Sequence, residues 1–307
     1  MSRDRSDFAR LLLAWYARYG RSHLPWRESR DPYRVLVSEF MLQQTQVDRV
    51  LPKFLAFVER FPSVAALDRA GTADVLRLWQ GLGYNSRAVR LKQIARAVVE
   101  RFEGRMPSDS AVLRTLPGVG PYTVSAIRAF AFDCDEAAPD TNVRRVTHRA
   151  LHGVEFPPQV PLATLDAEAS ALVPPGRGHD WNSAMMDLGA SICTARAPKC
   201  LICPLQAACA AAPIDAARLE SLRKEHARKR SPQEAMPFER TIRYARGRVV
   251  DRLRELPAGK RISLLDLHRD LGHVLSGRSA DELNAIVAAL VRDGLADERN
   301  GTIALRD

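Results

Sequence analysis

Four of the five cysteines fall within a span short enough to surround one small inorganic centre. They are separated by six, two and five residues, whereas Cys134 stands apart and is more typical of a small buried hydrophobe. Structural zinc sites usually use two separated ligand pairs. A compact run with a single Cys-x2-Cys pair suits an iron–sulfur cube as well or better, and both alternatives stay open. The candidate metal ligands are Cys193, Cys200, Cys203 and Cys209.

Two carboxylates lie where acid–base chemistry could use them. Glu39 interrupts an apolar helical segment, and a buried carboxyl group has a raised pKa that suits a general acid near neutral pH. Asp140 precedes a second helical segment, where an aspartate also serves as an ordinary N-cap. A solvent-facing turn would explain Glu39 equally well, and capping alone would explain Asp140. The chemistry of both residues therefore depends on their surroundings.

A glycine-containing turn separates two short helical segments. Gly118 and Gly120 lie two positions apart with a proline on each side, and we expect helices over about residues 109–116 and 123–130. Backbone N–H groups at the start of a helix can hold a phosphate without reading sequence. A plain loop would also contain such glycines, but the flanking segments are typical of a helix-hairpin-helix DNA-binding hairpin.

The charge balance favours a polyanionic partner. Lys and Arg number 46 against 36 Asp and Glu among 307 residues, a formal net charge of +10. Nucleic acid and an anionic membrane surface both fit this excess. The chain has no run of about 18 apolar residues, and its N-terminal apolar patch lacks a signal-peptide cleavage site. We therefore expect a cytoplasmic protein without a membrane segment or a disulfide framework.

The elements that must position these groups are mostly helical. Apolar residues recur at helical spacing throughout residues 5–210, with prolines between the segments. Residues 214–237 are rich in Arg and Lys and predict a basic linker, either a solvated helix and hinge or a phosphate-contacting arm. Residues 238–307 predict helices over about 240–256, 264–271 and 279–294, then a hairpin turning at Asn300-Gly301. Three helices and a hairpin indicate a winged-helix-like α+β module.

Read in order, these motifs resemble the helix-hairpin-helix DNA glycosylase superfamily, which includes endonuclease III. The sequence is most similar to the adenine DNA glycosylases that act on A/G mismatches. The resemblance runs from about residue 24 to residue 209. It is carried by Leu24-Pro25-Trp26-Arg27, the segment from Ser38-Glu39 to Gln46, Gly81-Leu82-Gly83-Tyr84, the hairpin, Asp140-x-Asn142-Val143, residues 182–190 and the four cysteines.

The resemblance implies an all-α helix-hairpin-helix glycosylase fold over residues 1–213. A six-helix barrel would cover about residues 30–135, and a second module would combine the N-terminal segment with about residues 136–213. A 4Fe-4S cluster on the four cysteines would then close the fold and shape their loop. From that loop, Arg196 and Lys199 could reach phosphate.

The resemblance also implies a mechanism. Glu39 would protonate the departing purine, and Asp140 would stabilise the oxocarbenium ion or trap it covalently. Tyr122 stands where strand-cleaving members carry a Schiff-base lysine, so we expect a monofunctional enzyme that leaves an abasic site. Asn142 and Tyr122 would orient these groups, and Gln44 would fill the space left by the flipped base. The remaining base-pocket and DNA candidates are Leu24, Trp26, Arg27, Gln43, Gly118, Gly120 and Asn85.

Three departures from the adenine-glycosylase pattern keep other functions open. Asn85 stands where many relatives have a second tyrosine, Ser22 replaces a frequent basic residue, and residues 238–307 do not resemble the usual β-rich C-terminal domain. The first expectation is removal of adenine opposite G or 8-oxoguanine. The alternatives are a glycosylase for uracil or thymine mispaired with guanine, and a DNA-binding protein without catalysis. In each case we expect a monomer acting on double-stranded DNA that contains a mismatch or lesion.

Overall fold

The computed structural model describes residues 5–228, 237–275 and 277–307, and these ranges are mostly helical. In them, no helix is both long enough and apolar enough to cross a lipid bilayer. In chain order the helices are α1 (Arg5–Tyr19), α2 (Pro25–Glu28), α3 (Pro32–Leu42), α4 (Val47–Arg60), α5 (Val64–Arg69), α6 (Thr72–Leu78), α7 (Ser86–Phe102), α8 (Ser110–Arg114), α9 (Pro121–Phe132), α10 (Thr141–Leu151), α11 (Leu162–Ser170), α12 (Gly178–Ser191), α13 (Ala216–Arg228), α14 (Ile242–Arg254), α15 (Leu264–Leu271) and α16 (Ala280–Arg292).

The described strands all lie near the C-terminus and form one small antiparallel sheet. Strand β3 (Thr302–Leu305) lies between β1 (Ile262–Ser263) and β2 (Ala296–Arg299). Asn300 and Gly301 connect β2 to β3 with φ angles of 50° and 70°. Positive φ at both central residues is the signature of a tight two-residue hairpin turn. The predicted hairpin is therefore confirmed, whereas the two-residue strand β1 was not predicted.

By its contacts the chain divides into two compact units, formed by residues 1–36, 108–115 and 119–233 and by residues 37–107, 116–118 and 234–307. In the first unit, α1, α10 and α12 pack around a core that includes Leu12, Trp181 and Met185. Helix α10 contributes Val143, Val146 and Ala150 to this core. Their spacing of three and four places them on one helical face.

The second unit contains α4–α7 together with the C-terminal elements. The ring of Phe57 packs edge-on against Phe61 and Trp79 at centroid distances of 5.1 and 6.1 Å. In the C-terminal part, Ser279 caps α16 and forms a reciprocal capping box with Glu282. The start of this helix was predicted from Ser279 as its N-cap, whereas the part played by Glu282 was not predicted.

The predicted domain boundaries stay predictions. By contacts, the described residues from 237 onward group with residues 37–107. Much of the predicted linker is occupied by helix α13, on which Leu219 is only 1% exposed. The described part of this segment is therefore an ordered helix, while the prediction for residues 229–236 lies outside the described residues.

Candidate functional site

The Asp140 carboxylate is held by the first turn of α10. Its Oδ1 accepts hydrogen bonds from the backbone N–H groups of Asn142 at 2.8 Å and Val143 at 2.7 Å. Its Oδ2 accepts from the Asn142 side-chain amide at 2.8 Å. The predicted capping role is therefore present. The partial positive charge at a helix N-terminus also favours an anion here.

A second set of contacts fixes Asn142. Its Oδ1 accepts a hydrogen bond from Arg145 at 2.9 Å, and Arg145 also donates to the carbonyls of Gly189 at 2.7 Å and Cys193 at 2.8 Å. A Cβ atom on Gly189 would lie 2.6 Å from the Asn142 Cβ. The space for the asparagine therefore requires glycine at position 189. Sequence reasoning gave Arg145 no role.

The backbone that leads into Asp140 is anchored by Asn182, which is completely buried. The Asn182 amide donates to the carbonyls of Glu136 at 2.9 Å and Gly178 at 2.8 Å. Its oxygen accepts from the N–H of Ala138 at 2.7 Å. Two of these three hydrogen bonds hold the segment before Asp140, and the third stays within α12. The position of Asn182 in residues 182–190 did not reveal this role.

Glu39 lies on α3 and is 7% exposed, so the buried carboxyl group expected from its apolar neighbours is present. The end of α3 is held by Arg87 of α7. This guanidinium donates to the carbonyls of Phe40 and Gln43, both at 2.6 Å, and of Leu82 at 2.9 Å. Burial lowers the pKa of Arg87 to about 10. No sequence motif identified this residue.

Gln43 and Gln44 form the turn that follows α3. Gln44 is exposed and has a φ of 56°, a left-handed conformation that is uncommon for a residue with a side chain. Gln43 is partly buried and its carbonyl accepts from Arg87. Gln44, which is predicted to fill the space left by a flipped base, thus lies in a turn that Arg87 holds through the Gln43 carbonyl. Its insertion into DNA stays a prediction.

The glycine hairpin has the expected flanking helices. Asp109 caps α8 by accepting from the N–H of Val112 at 2.9 Å, and Gly120 precedes α9. Gly118 has a φ of 73°, and a Cβ atom there would lie 2.8 Å from the Arg90 side chain. At Gly120 an added Cβ would meet nothing within 4 Å, so the approach to this turn is open. Tyr122 lies partly buried in the first turn of α9.

Trp26 and Arg27 lie on the short helix α2, and Leu24 directly precedes it. Leu24 and Trp26 are buried, and Arg27 donates to both carboxylate oxygens of Asp187 at 2.8 and 3.0 Å. Arg21 donates to the same carboxylate. Burial alone would raise the pKa of Asp187, but the hydrogen bonds and charge of Arg27 outweigh it and lower that pKa. The Arg27 guanidinium therefore has a structural ion pair, which sequence reasoning missed.

The four clustered cysteines line one pocket, together with Arg149 and Lys199. Burial raises the pKa of Cys203 to about 12, and the charges of the other three thiols add to this rise. The four side chains therefore converge. In the described residues, no three His, Cys, Asp or Glu side chains are arranged around a single-ion position. Arg196 and Lys199 are exposed on the cysteine loop.

Arg149 holds the cysteine loop against α10. Its fully buried guanidinium pairs with Glu155 at 2.6 Å and donates to the Thr194 carbonyl at 2.8 Å. Its own carbonyl accepts from the N–H of Ala211 at 3.0 Å. Helix α10 thus carries Asp140 at its start and binds the cysteine loop along its length.

Asn85 is engaged by a residue far along the chain. Its Oδ1 accepts from Arg254 of α14 at 2.7 Å, and Arg254 also donates to the Leu76 carbonyl at 2.9 Å. Beside it, the guanidinium of Arg243 lies 3.7 Å from the ring centroid of Tyr84. Sequence reasoning assigned no role to either arginine.

The chain is similar to known proteins in sequence and in fold. Residues 37–159 match the family model of the HhH-GPD superfamily base excision DNA repair protein. The chain is similar to a solved structure of a thermostable thymine-DNA glycosylase, with 31% identity, a TM-score of 0.62, and coverage of 67% of this chain and 95% of that one. The chain belongs to the HhH-GPD superfamily. The predicted family and its mostly helical fold are thus confirmed.

Two mycobacterial relatives of this HhH-GPD chain are named adenine DNA glycosylase. The protein of Mycolicibacterium smegmatis is 45% identical over 195 residues, which are 63% of this chain and 66% of that protein. The protein of Mycobacterium tuberculosis is 45% identical over 196 residues, covering 63% and 64%. The matched region therefore spans slightly less than two thirds of these relatives.

Proposed function

We propose that this HhH-GPD chain is a base excision repair DNA glycosylase that removes mispaired adenine and leaves an abasic site. The relatives named adenine DNA glycosylase support the choice of adenine. The observation that carries the proposal is the Asp140 carboxylate, which accepts three hydrogen bonds and stays fixed at the start of α10. Such a fixed anion suits a reaction that develops positive charge on a sugar.

The reaction begins after the adenosine has left the helical stack, because its reacting bond is hidden in the duplex. Glu39 transfers a proton to the purine, and the electron pair of the C1′–N9 bond leaves with the base. Asp140 then stabilises the oxocarbenium ion, and water adds to C1′ and releases a proton. Tyr122 offers no amine for a Schiff base, so the strand stays intact.

The four-cysteine pocket fits a 4Fe-4S cluster. The four thiols converge, they are flanked by Arg149, and they have the compact spacing of an iron–sulfur ligand set. When bound, the cluster would cross-link the loop at Cys193, Cys200, Cys203 and Cys209. The chain's own Arg196 and Lys199 would then contact DNA phosphates from a fixed loop.

The remaining predicted residues are assigned to DNA. Duplex DNA with a mismatch or lesion is the proposed partner of a monomeric, cytoplasmic enzyme. Gly118 and Gly120 would bring backbone N–H groups to phosphate, and Gln44 would enter the duplex beside Gln43. In the base pocket, Leu24 and Trp26 would form apolar walls, whereas Arg27 would act through Asp187 by holding α2 in place.

A second candidate function is removal of uracil or thymine mispaired with guanine. It is favoured by Asn85 and by the similarity to a solved thymine-DNA glycosylase at 31% identity. A non-catalytic DNA-binding role is the third alternative. The three differ in whether a base is released and in which base it is.

The test is base release from duplexes that contain A:8-oxoguanine, A:G, U:G, T:G or hypoxanthine:T, each with and without alkali. We expect adenine release and strand breaks only after alkali. D140N should abolish release and retain binding. D215N, which changes the exposed aspartate that caps α13, should release adenine like the wild type. Pyrimidine release alone would select the second candidate, and unchanged release by D140N would overturn the proposed mechanism.

A further inference from the structure

A basic groove lies between the loop of residues 81–86 and helix α14. Its volume is about 530 Å³. The arginines on its walls are Arg49, Arg243, Arg246, Arg248 and Arg254, and its rings are Tyr84, Phe238 and Tyr244. Among its described lining residues Asp251 is the only acid. None of the predicted site residues except Asn85 belongs to this groove.

The groove keeps a positive charge after its internal ion pairs are counted. Asp251 pairs with Arg248 and Arg254, and Asp293 pairs with Arg246. Two carboxylates thus face five guanidinium groups, which leaves an excess of three positive charges. A concave surface with one sign of charge concentrates polyanions.

Aromatic rings lie among these charges. Arg243 is exposed, and its guanidinium lies 3.7 Å from the Tyr84 centroid and 5.5 Å from that of Phe238. Phe238 is 51% exposed and packs edge-on against Tyr244 at 5.6 Å. Cations and rings side by side suit a nucleic acid backbone, because the phosphates bind the cations while the sugars contact the rings.

The third helix of the C-terminal module is poorly suited to the same partner. Helix-turn-helix proteins insert such a helix into the major groove and contact bases with its N-terminal residues. Here α16 begins with exposed Asp281 and Glu282, followed by exposed Asn284 and Ala285. Its acidic first turn would repel phosphate. The basic side of the module is therefore α14.

We propose that α14 and the turn before it, residues 238–240, form with residues 81–86 a second DNA-binding surface that holds the sugar–phosphate backbone of duplex DNA. This inference rests on the proposed function and extends the DNA contacts into the C-terminal module. Arg243 and Arg248 are the exposed cations that α14 contributes to the groove, whereas Arg254 positions Asn85 and the loop.

The experiment compares R243A/R248A with R96A/R269A in the 307-residue chain. The control removes two exposed, ion-paired arginines from α7 and α15, outside the groove. Fluorescence anisotropy measures the affinity for undamaged and A:G duplexes at several salt concentrations. Binding of phosphates makes log K fall with log salt by about 0.9 per contact. We expect the groove variant to bind tenfold or more weakly with a slope shallower by up to about 2. The control should keep the wild-type slope.

The outcomes separate this inference from the proposed function. R243K/R248K should restore the wild-type salt slope, because lysine keeps the positive charge. The melting temperature of each variant checks that it is folded. Equal losses in both double variants would reflect net charge alone and overturn the inference. Wild-type affinity in R243A/R248A would also overturn it and leave the groove to another partner, such as an acidic protein segment. Failure of the wild type to release adenine would refute only the proposed function, since affinity for undamaged duplex is measured independently.

Discussion

Replacement of Arg87 by methionine should destabilise the protein strongly. The guanidinium donates to five carbonyls and to the Thr45 hydroxyl at 2.6–3.3 Å, and these groups lie at the end of α3 and in the loop that leads to α7. A hydrogen bond to a charged group contributes about 1.5–3 kcal/mol. The sum of these hydrogen-bond contributions overestimates the loss of stability, because burial of the charged guanidinium costs free energy. The same burial lowers the pKa of Arg87 to about 10.

We therefore expect R87M to lower the free energy of unfolding by about 3–5 kcal/mol, the usual cost of breaking a buried charged network. Urea denaturation of the full chain, followed by far-UV circular dichroism, measures this change. R96A removes an exposed arginine of the same helix and should leave the urea midpoint close to that of the wild type. A loss below about 1 kcal/mol in R87M would refute the assignment of Arg87 as the structural link. Base release should slow in parallel, because Glu39 and Gln44 lie on the segment that Arg87 holds.

Three further predictions concern the first unit. C200S should abolish iron binding, measured by iron and sulfide analysis, whereas C134S should keep the wild-type content. The pKa of Asp187 is lowered in the folded state. Its ion pair therefore stabilises the fold fully at pH values above the ordinary pKa of 3.8, and this stabilisation is lost as the pH falls through the lowered pKa. The stability difference between wild type and D187N in urea titrations should therefore shrink below about pH 4, and a constant difference would contradict this. G189A should reduce base release at least tenfold, because the added methyl group would displace Asn142. The control G247A adds a methyl group where no atom lies within 4 Å and should raise the melting temperature.

Local signals explain most of what could be predicted. The start of α16 followed from Ser279, and the terminal hairpin followed from Asn300-Gly301, because capping and turn chemistry depend on neighbouring residues. The capping position of Asp140 followed for the same reason. Strand β1 was missed because two residues carry no alternation that a pattern can detect.

Long-range contacts explain most of what could not be predicted. Arg27 and Asp187 are 160 positions apart, so only the folded chain shows that they pair. Arg145 supports Asp140 through the Asn142 side chain. Asn182 supports it through backbone groups of residues 136 and 138, which any sequence provides and no motif identifies. The individual roles in catalysis and DNA binding stay predictions that the substitutions above test.

The contact of Arg254 with Leu76 and Asn85 limits how this protein can be divided or recombined. A chain ending before α14 would lose the donor that satisfies the Leu76 carbonyl and fixes the Asn85 side chain. Exchange of the C-terminal module for another domain would therefore disturb residues 76 and 85 as well. A replacement without a hydrogen-bond donor at this place would leave the Leu76 carbonyl and the Asn85 side chain without this contact.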